Sequence, residues 1–384
     1  MMNKMRKIVY MFVAAVCGMT MVACGDHNVT TSDKEAALKK VVPPYVNNTV
    51  IATYSAMGDA GLLLLDDVQR IEEAVEKEAG YESLMKQAGE HWREMRHHWE
   101  QSEAFLYGPA EKHTIDPHID SWPLDYNAMN ALLANEDQMK QIEEEGGAYV
   151  GDKLGYALKG FHAAEYLLFE EGRPHACNLT KAEAIYLVGI VEDLVQQAIL
   201  LEDCWAGGVS AEKEAVITDE EGESMSYDEN YGEWFINASH PSWKTYQAVA
   251  EQIVAGCVDI AGEVADLKLG NPYRGSDNGG DSEYLESPYS RTSTTDFVDN
   301  IISIQHAYAG AKSGDDCVAD YVKKQNAELN TKVLKTIDDA IAAINAIQNF
   351  ETTAQNNPQV KAAIDKVSEL EEILDEEVLP LLAK

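Results

Sequence analysis

The sequence predicts an all-α protein built as two four-helix-bundle domains packed side by side. Three observations predict it. Apolar residues recur at three- and four-residue spacing through most of the chain, Gly and Pro pairs punctuate these runs at helix-length intervals, and strand-like alternation bounded by turns is scarce.

The first expected helix covers 45–79, starting after Pro43-Pro44 and interrupted near Gly58 and Gly61. A second covers 82–107, with Trp92, Met95, Trp99 and Leu106 on one stripe, and stops at Gly108-Pro109. Residues 116–147 read as short helices with turns. A third helix covers 151–170, ended by Gly172 and Pro174, and a fourth covers 181–205, ended by Gly207-Gly208. Bundling lets each of these helices bury one stripe, so 43–208 is assigned to an N-terminal bundle. Residues 209–240 are acidic, aromatic and aperiodic, and are expected to form a connection between the domains. Helical pattern resumes over 241–269, a loop rich in Gly, Ser, Pro and Tyr fills 270–293, and further helices are expected over 295–308, 315–349 and 358–382. Residues 241–384 therefore form the C-terminal bundle.

The start of the chain follows an export pattern. Lys4, Arg6 and Lys7 form a positive segment, and an apolar run of about fifteen residues follows, too short for a comfortable membrane span. It ends in Met21-Val22-Ala23-Cys24-Gly25, which resembles a lipobox. The expectation is a signal peptide over 1–23, lipidation of Cys24, a linker over 24–42, and a membrane contact made through the lipid anchor alone. That places the protein in the cell envelope, at the outer membrane. No later segment is read as an apolar run of about eighteen residues, so the remainder is expected to be soluble.

The chain carries 30 Lys and Arg against 66 Asp and Glu, a net charge of −36. Such a surface repels nucleic acid and attracts cations, so a nucleic-acid partner is excluded. Cys177, Cys204, Cys257 and Cys317 are far apart with no C-x-x-C spacing, which argues against a zinc or iron–sulfur framework and permits one or two disulfides.

The segment Gly160-Phe161-His162-Ala163-Ala164-Glu165 is the most informative for chemistry. His162 and Glu165 are three apart, on one helix face, and bundle metal sites use such carboxylate–imidazole pairs. Leu154, Leu158, Phe161, Glu165 and Leu168 share a stripe, and a carboxylate on an apolar stripe needs a partner or a metal. The spacing alone is common: H-x-x-E recurs at His91/Glu94 and His97/Glu100, and a self-satisfying His–Glu pair is the plain alternative. Glu103 falls on the apolar stripe of the second helix. Glu100, one position off, is expected to face Arg96 or Arg93 and solvent. Asp120, leaving that helix, offers a fourth ligand. Such a set suits iron, zinc or manganese better than copper(I). There is no H-E-x-x-H, no G-x-S-x-G and no phosphate loop, and Ser290 and Ser293 lack a histidine nearby in sequence.

Three blocks in this order resemble the imelysin family: 99–109 (WEQSEAFLYGP), Ile119-Asp120-Ser121-Trp122-Pro123, and 160–165 with its G-x-H-x-x-E. The second half agrees through Glu286-Ser287-Pro288-Tyr289-Ser290, then 296–300 (DFVDN) and Ser303. Tyr107 stands where the family usually has phenylalanine, and 210–240 has no counterpart. The resemblance spans roughly 40–380. It implies two similar helical bundles with the shared residues at their cleft, which makes Ser102, Trp122, Ser290 and Asn300 cleft candidates. It also implies an envelope protein connected with iron. The family carries a metallopeptidase label, with the H-x-x-E residues as ligands. A hydrolytic zinc site needs three protein ligands, an open position and a base, and no complete catalytic constellation is visible here. The leading expectation is a membrane-anchored protein binding iron or zinc through His162, Glu165, Glu103 and Asp120, serving iron uptake with iron-uptake proteins as partners. The first alternative is an extracytoplasmic metallopeptidase; the second is a module without metal whose cleft holds a haem-like ligand or a partner protein.

Overall fold

A computed structural model describes residues 31–219 and 222–384, so the expected signal peptide and Cys24 lie outside the described residues. From Thr31 the chain is already helical. Helix α1 (Thr31–Pro44) passes without a break through a π-helical stretch, Tyr45–Val50, into α2 (Ile51–Glu76). Pro43 and Pro44 thus sit inside a helical rod and do not begin it. A proline removes an N–H and crowds the carbonyl four residues back, and the wider π turn that follows takes up the misfit. The expected linker is therefore helical from Thr31, and it is packed. Leu38, Val41 and Val42 are buried, and Glu35 accepts hydrogen bonds from the backbone N–H groups of Tyr246 and Gln247 at 2.8 and 3.0 Å.

Helix α3 (Glu82–Glu100) ends seven residues before the expected stop, and a 3₁₀ turn, Glu103–Phe105, follows it. Helix α4 (Glu136–Lys153) bends at Gly146, whose φ is +54°. The expected helix over 151–170 is absent: the chain is extended at Leu154, makes a 3₁₀ turn at Tyr156–Leu158, and is helical again only in α5 (Gly160–Leu168). Helix α6 (Lys181–Ala206) matches its expected limits. Thr180 and Glu183 form a reciprocal capping box, and Gly207 closes the other end in the left-handed region at φ +71°. Helix α6 corrects the expectation that no later segment is long and apolar enough to cross a membrane: it is, but most of its side chains are buried inside the fold. Helix α2 packs on α3 and α6, α4 packs on α6, and α5 lies between α3 and α6.

The second half holds α7 (Tyr246–Glu263), α8 (Ser293–Ala309), α9 (Ala327–Asn345) and α10 (Pro358–Ile373). These pack in a ring, α7 on α8, α8 on α9, α9 on α10 and α10 on α7, and α1 lies along α7. The expected helix over 315–349 is divided at Asn326, whose side chain accepts from the Leu329 N–H at 3.0 Å and starts α9. Strand structure among the described residues is confined to Phe169–Glu170 pairing with Arg173–Pro174, plus two isolated bridges. The acidic segment carries two six-residue helices, Ala211–Val216 and Tyr231–Ile236. It is anchored by Phe235, which stacks on Tyr107 at 5.8 Å and meets Trp205 and Trp243 edge-on. Cys177, Cys204, Cys257 and Cys317 are all free thiols.

Candidate metal centre

Gly160 sets the geometry. Its φ is +76°, and a Cβ there would stand 2.2 Å from the carbonyl oxygen of Ile119. Only glycine lets the start of α5 lie this close to the chain leaving Ile115–Ile119. That approach brings His162 against Asp120, with Nε2 2.9 Å from Oδ1. The Trp122 ring lies 4.8 Å from the imidazole, and the second ring nitrogen, Nδ1, is 3.7 Å from Glu165 Oε2. His162 and Glu165 are both buried.

Glu165 faces the other half of the molecule. Its Oε1 accepts from the backbone N–H of Tyr289 at 3.2 Å, from that of Ser290 at 2.8 Å, and from the Ser290 hydroxyl at 2.6 Å. The carboxylate is thus a tie between α5 and the loop before α8. Its Oε2 and His162 Nδ1 are buried without a full hydrogen bond.

Arg96, fully buried on α3, organises the acids around His162. It pairs with Asp120, with Glu100 at 2.6 Å and with Glu286 at 2.9 Å, while the Trp99 indole donates to Asp120 Oδ2 at 2.7 Å. Glu100 is therefore buried, a correction to the expectation of solvent exposure: it does meet Arg96, but its other oxygen takes the Asn300 amide at 2.6 Å. Lys268, at the end of a π-helical stretch after α7 (Val264–Lys268), reaches Glu286 at 3.3 Å and Glu100 and Glu103 at 3.5 Å each. Glu103 sits on the 3₁₀ turn, not on a helical stripe.

Beside this network is a cavity of about 300 Å³. Glu103, Asp116, Asp120, Glu263 and Glu286 line it, against Lys268 and His162. Acids outnumber bases, and the electrostatics follow. Burial pushes the Glu100 and Asp116 carboxyls up to about 7, and Glu103 and Glu263 upward against the pull of Lys268. Asp120 goes the other way: burial opposes its charge, but Arg96 and the hydrogen bond from His162 hold it well below the usual carboxylate range. Burial likewise opposes charge on His162, yet the hydrogen bond to Asp120 and the Glu165 carboxylate beside its other nitrogen raise it to about 9.

Two groups here present ligand atoms within 4.8 Å of one another: Asp120, His162 and Glu286, and Glu100, Glu103 and Asp120. Of the expected ligands, Asp120 and His162 are brought together, Glu103 lines the same cavity, and Glu165 stands behind the histidine with one oxygen already engaged. Trp122 lines the cavity. Ser290 holds Glu165 and Asn300 holds Glu100, whereas the Ser102 hydroxyl donates to the Trp99 carbonyl at 2.7 Å and finishes α3. Sequence reasoning missed Arg96, Lys268 and Glu286 as members of the site. The first two carried a legible signal, a charge on an apolar stripe: Arg96 four residues after Trp92, and Lys268 four after Val264.

A family model for imelysin matches residues 50–376. The chain belongs to the imelysin family. It is 24% identical over 370 residues to iron-regulated protein A of Synechococcus elongatus, a match covering 94% of this chain and 89% of that one. Among solved structures it resembles one described as an iron-regulated protein A precursor from Parabacteroides distasonis, with a TM-score of 0.76 and 25% identity over 91% of this chain and 96% of the other. An imelysin-like protein from Psychrobacter arcticum shares the fold at a TM-score of 0.62 and 12% identity, again covering 91% and 96% of the two chains. The imelysin resemblance seen in the sequence blocks and the all-α bundle fold are both upheld by these matches.

Proposed function

We propose that this imelysin is a cell-envelope lipoprotein that binds an iron-type cation in the cavity beside α5, in the service of iron uptake. One observation carries the reading: Asp120, His162 and Glu286 offer ligand atoms within 4.8 Å of one another at a cavity with an excess of carboxylates. Oxygen and imidazole ligands suit iron, zinc or manganese. First-row metals with bonds of about 2.0–2.2 Å space such atoms roughly 3.3–3.6 Å apart, so the three groups need to close by at most about 1.5 Å. Glu103 lies on the same cavity as a further oxygen donor, and Glu165 orients His162 from behind. Lys268 supplies the present counter-charge on a flexible stem, and a cation entering at Glu286 would displace it.

The iron-regulated names of two relatives support the link to iron, and the export pattern ending at Cys24 supports the lipid anchor. A metallopeptidase would need room for an extended peptide, whereas a cavity of about 300 Å³ is at the small end for even a compact ligand. The test is titration of the purified protein with Fe²⁺ under anaerobic conditions and with Zn²⁺. Stoichiometric binding that disappears in a folded His162→Gln/Glu286→Gln variant supports the reading; equal binding by both proteins overturns it.

A further inference from the structure

A second cluster of ligand-type side chains lies away from this cavity, where the acidic segment meets the end of α6. His113, Cys204 and Glu229 bring one ligand atom each to within 4.8 Å of one another. They come from three separate pieces of chain: His113 follows the short Pro109–Lys112 helix, Cys204 lies in the last turn of α6, and Glu229 precedes the Tyr231–Ile236 helix. Cys204 is buried, while the His113 and Glu229 side chains are 15% and 11% exposed. The imidazole is held in place: Tyr227 stacks on it at 3.6 Å with the rings 8° from parallel, and Nε2 is 2.8 Å from Glu229 Oε2.

We propose that His113, Cys204 and Glu229 form a zinc-type site that pins the acidic segment to α6. A thiolate, an imidazole and a carboxylate are a borderline-soft set of the kind zinc accepts, with a fourth position open to water. In a tetrahedral site with bonds of about 2.0–2.3 Å, ligand atoms stand roughly 3.3–3.6 Å apart. The His113–Glu229 pair is already closer than that, at 2.8 Å, and Cys204, within 4.8 Å of both, need approach by at most about 1.5 Å. A metal would replace the Nε2–Oε2 hydrogen bond with a bond to each of the two atoms. Lys112 pairs with the other carboxylate oxygen, Oε1, from an exposed position, and leaves Oε2 to the metal. A redox or nucleophilic role for the thiol is disfavoured, because burial, with Glu229 and Asp203 nearby, pushes Cys204 up to about 12 and keeps it protonated. A metal ligand escapes that limit, since the metal itself displaces the proton. Cys177, Cys257 and Cys317 belong to no such group among the described residues.

The probe is Co²⁺, which reports a thiolate ligand by charge-transfer absorption in the near ultraviolet, followed by displacement with Zn²⁺. The full protein should show the thiolate band at one equivalent, lose it in Cys204→Ser, and bind roughly tenfold or more weakly in Glu229→Gln and His113→Asn. Zinc should also slow proteolysis within 210–240 in the wild type and not in Cys204→Ser. Circular dichroism confirms that each variant is folded, and the Gln and Asn variants carry the test if Cys204→Ser fails to fold. The band should persist in the His162→Gln/Glu286→Gln protein, which separates this site from the cavity beside α5. Absence of a thiolate band in the wild type, or its persistence in Cys204→Ser, would overturn the proposal.

Discussion

The hydroxyl and the backbone N–H of Ser290 donate to the same oxygen of Glu165, at 2.6 and 2.8 Å, across 125 residues of sequence. A helix of the first half thereby holds the loop that leads into α8, and the histidine three residues earlier is held with it. Hydrogen bonds to a charged group are worth about 1.5–3 kcal/mol each, so Ser290→Ala should destabilise the protein by about that amount. Glu165→Gln keeps an acceptor and should cost less than Glu165→Ala, which strands two buried N–H groups. Urea unfolding ranks the three. Equal stability of Glu165→Ala and Glu165→Gln would mean that the tie is not structural.

Arg96 is a stronger case. It is buried among Asp120, Glu100 and Glu286, and removing one member of a buried ionic network leaves charges without partners, at a cost of about 3–5 kcal/mol. Arg96→Met should therefore lower the unfolding midpoint far more than Arg93→Met, whose guanidinium is only half-buried. Similar midpoints for the two variants would refute the central place given to Arg96.

Gly160→Ala tests the approach of α5 to Ile119. A Cβ placed 2.2 Å from a backbone oxygen, at a φ of +76°, forces the helix start to move, and His162 moves with it. The variant should lose cation binding while its far-ultraviolet dichroism stays near that of the wild type. Unchanged binding in Gly160→Ala would show that the site tolerates a displaced α5.

A pH effect is expected at a second contact between the halves, His97 Nδ1 on Asp299 Oδ2 at 2.7 Å. The hydrogen bond to Asp299 raises the imidazole above its ordinary value, with burial opposing. A raised folded value means that the stabilisation is fully present below about pH 6.5 and is lost as pH climbs through the shifted value. The difference in Tm between wild type and His97→Gln should be largest in mild acid and shrink on the alkaline side. A constant difference across this range would remove the ionic part of the contact.

How far these relationships could be read in advance depended on how local their causes are. Helix α6 was legible because its stop and start signals, Thr180 with Glu183 and then Gly207, act within a single turn. The rod from Thr31 was not, because Pro43-Pro44 is a breaking signal that the following π turn absorbs. Leu154 and Leu158 mimicked one stripe with Phe161, although the backbone is extended at Leu154 and at Lys159 and only α5 is helical. The short helices within 210–240 span too few residues to show a period. At the site, His162 and Asp120 were visible through the chemistry of a short motif and its neighbouring block. Glu100 was misjudged because it is buried against Asn300, 200 residues away, and Glu286 was not singled out as a ligand because it lies in a loop with no period to betray which way it faces.

The most direct test of the central claim is calorimetric titration of the purified protein with Fe²⁺, beside the Glu286→Gln variant. This substitution keeps the side chain's size and its acceptor oxygen, so the hydrogen bonding of Arg96 and Lys268 is preserved. Near-stoichiometric binding by the wild type, weakened at least about tenfold in a variant of similar Tm, is the expected result. Binding that is identical in the two proteins, or absent from the wild type for both Fe²⁺ and Zn²⁺, would contradict a metal centre at Asp120, His162 and Glu286.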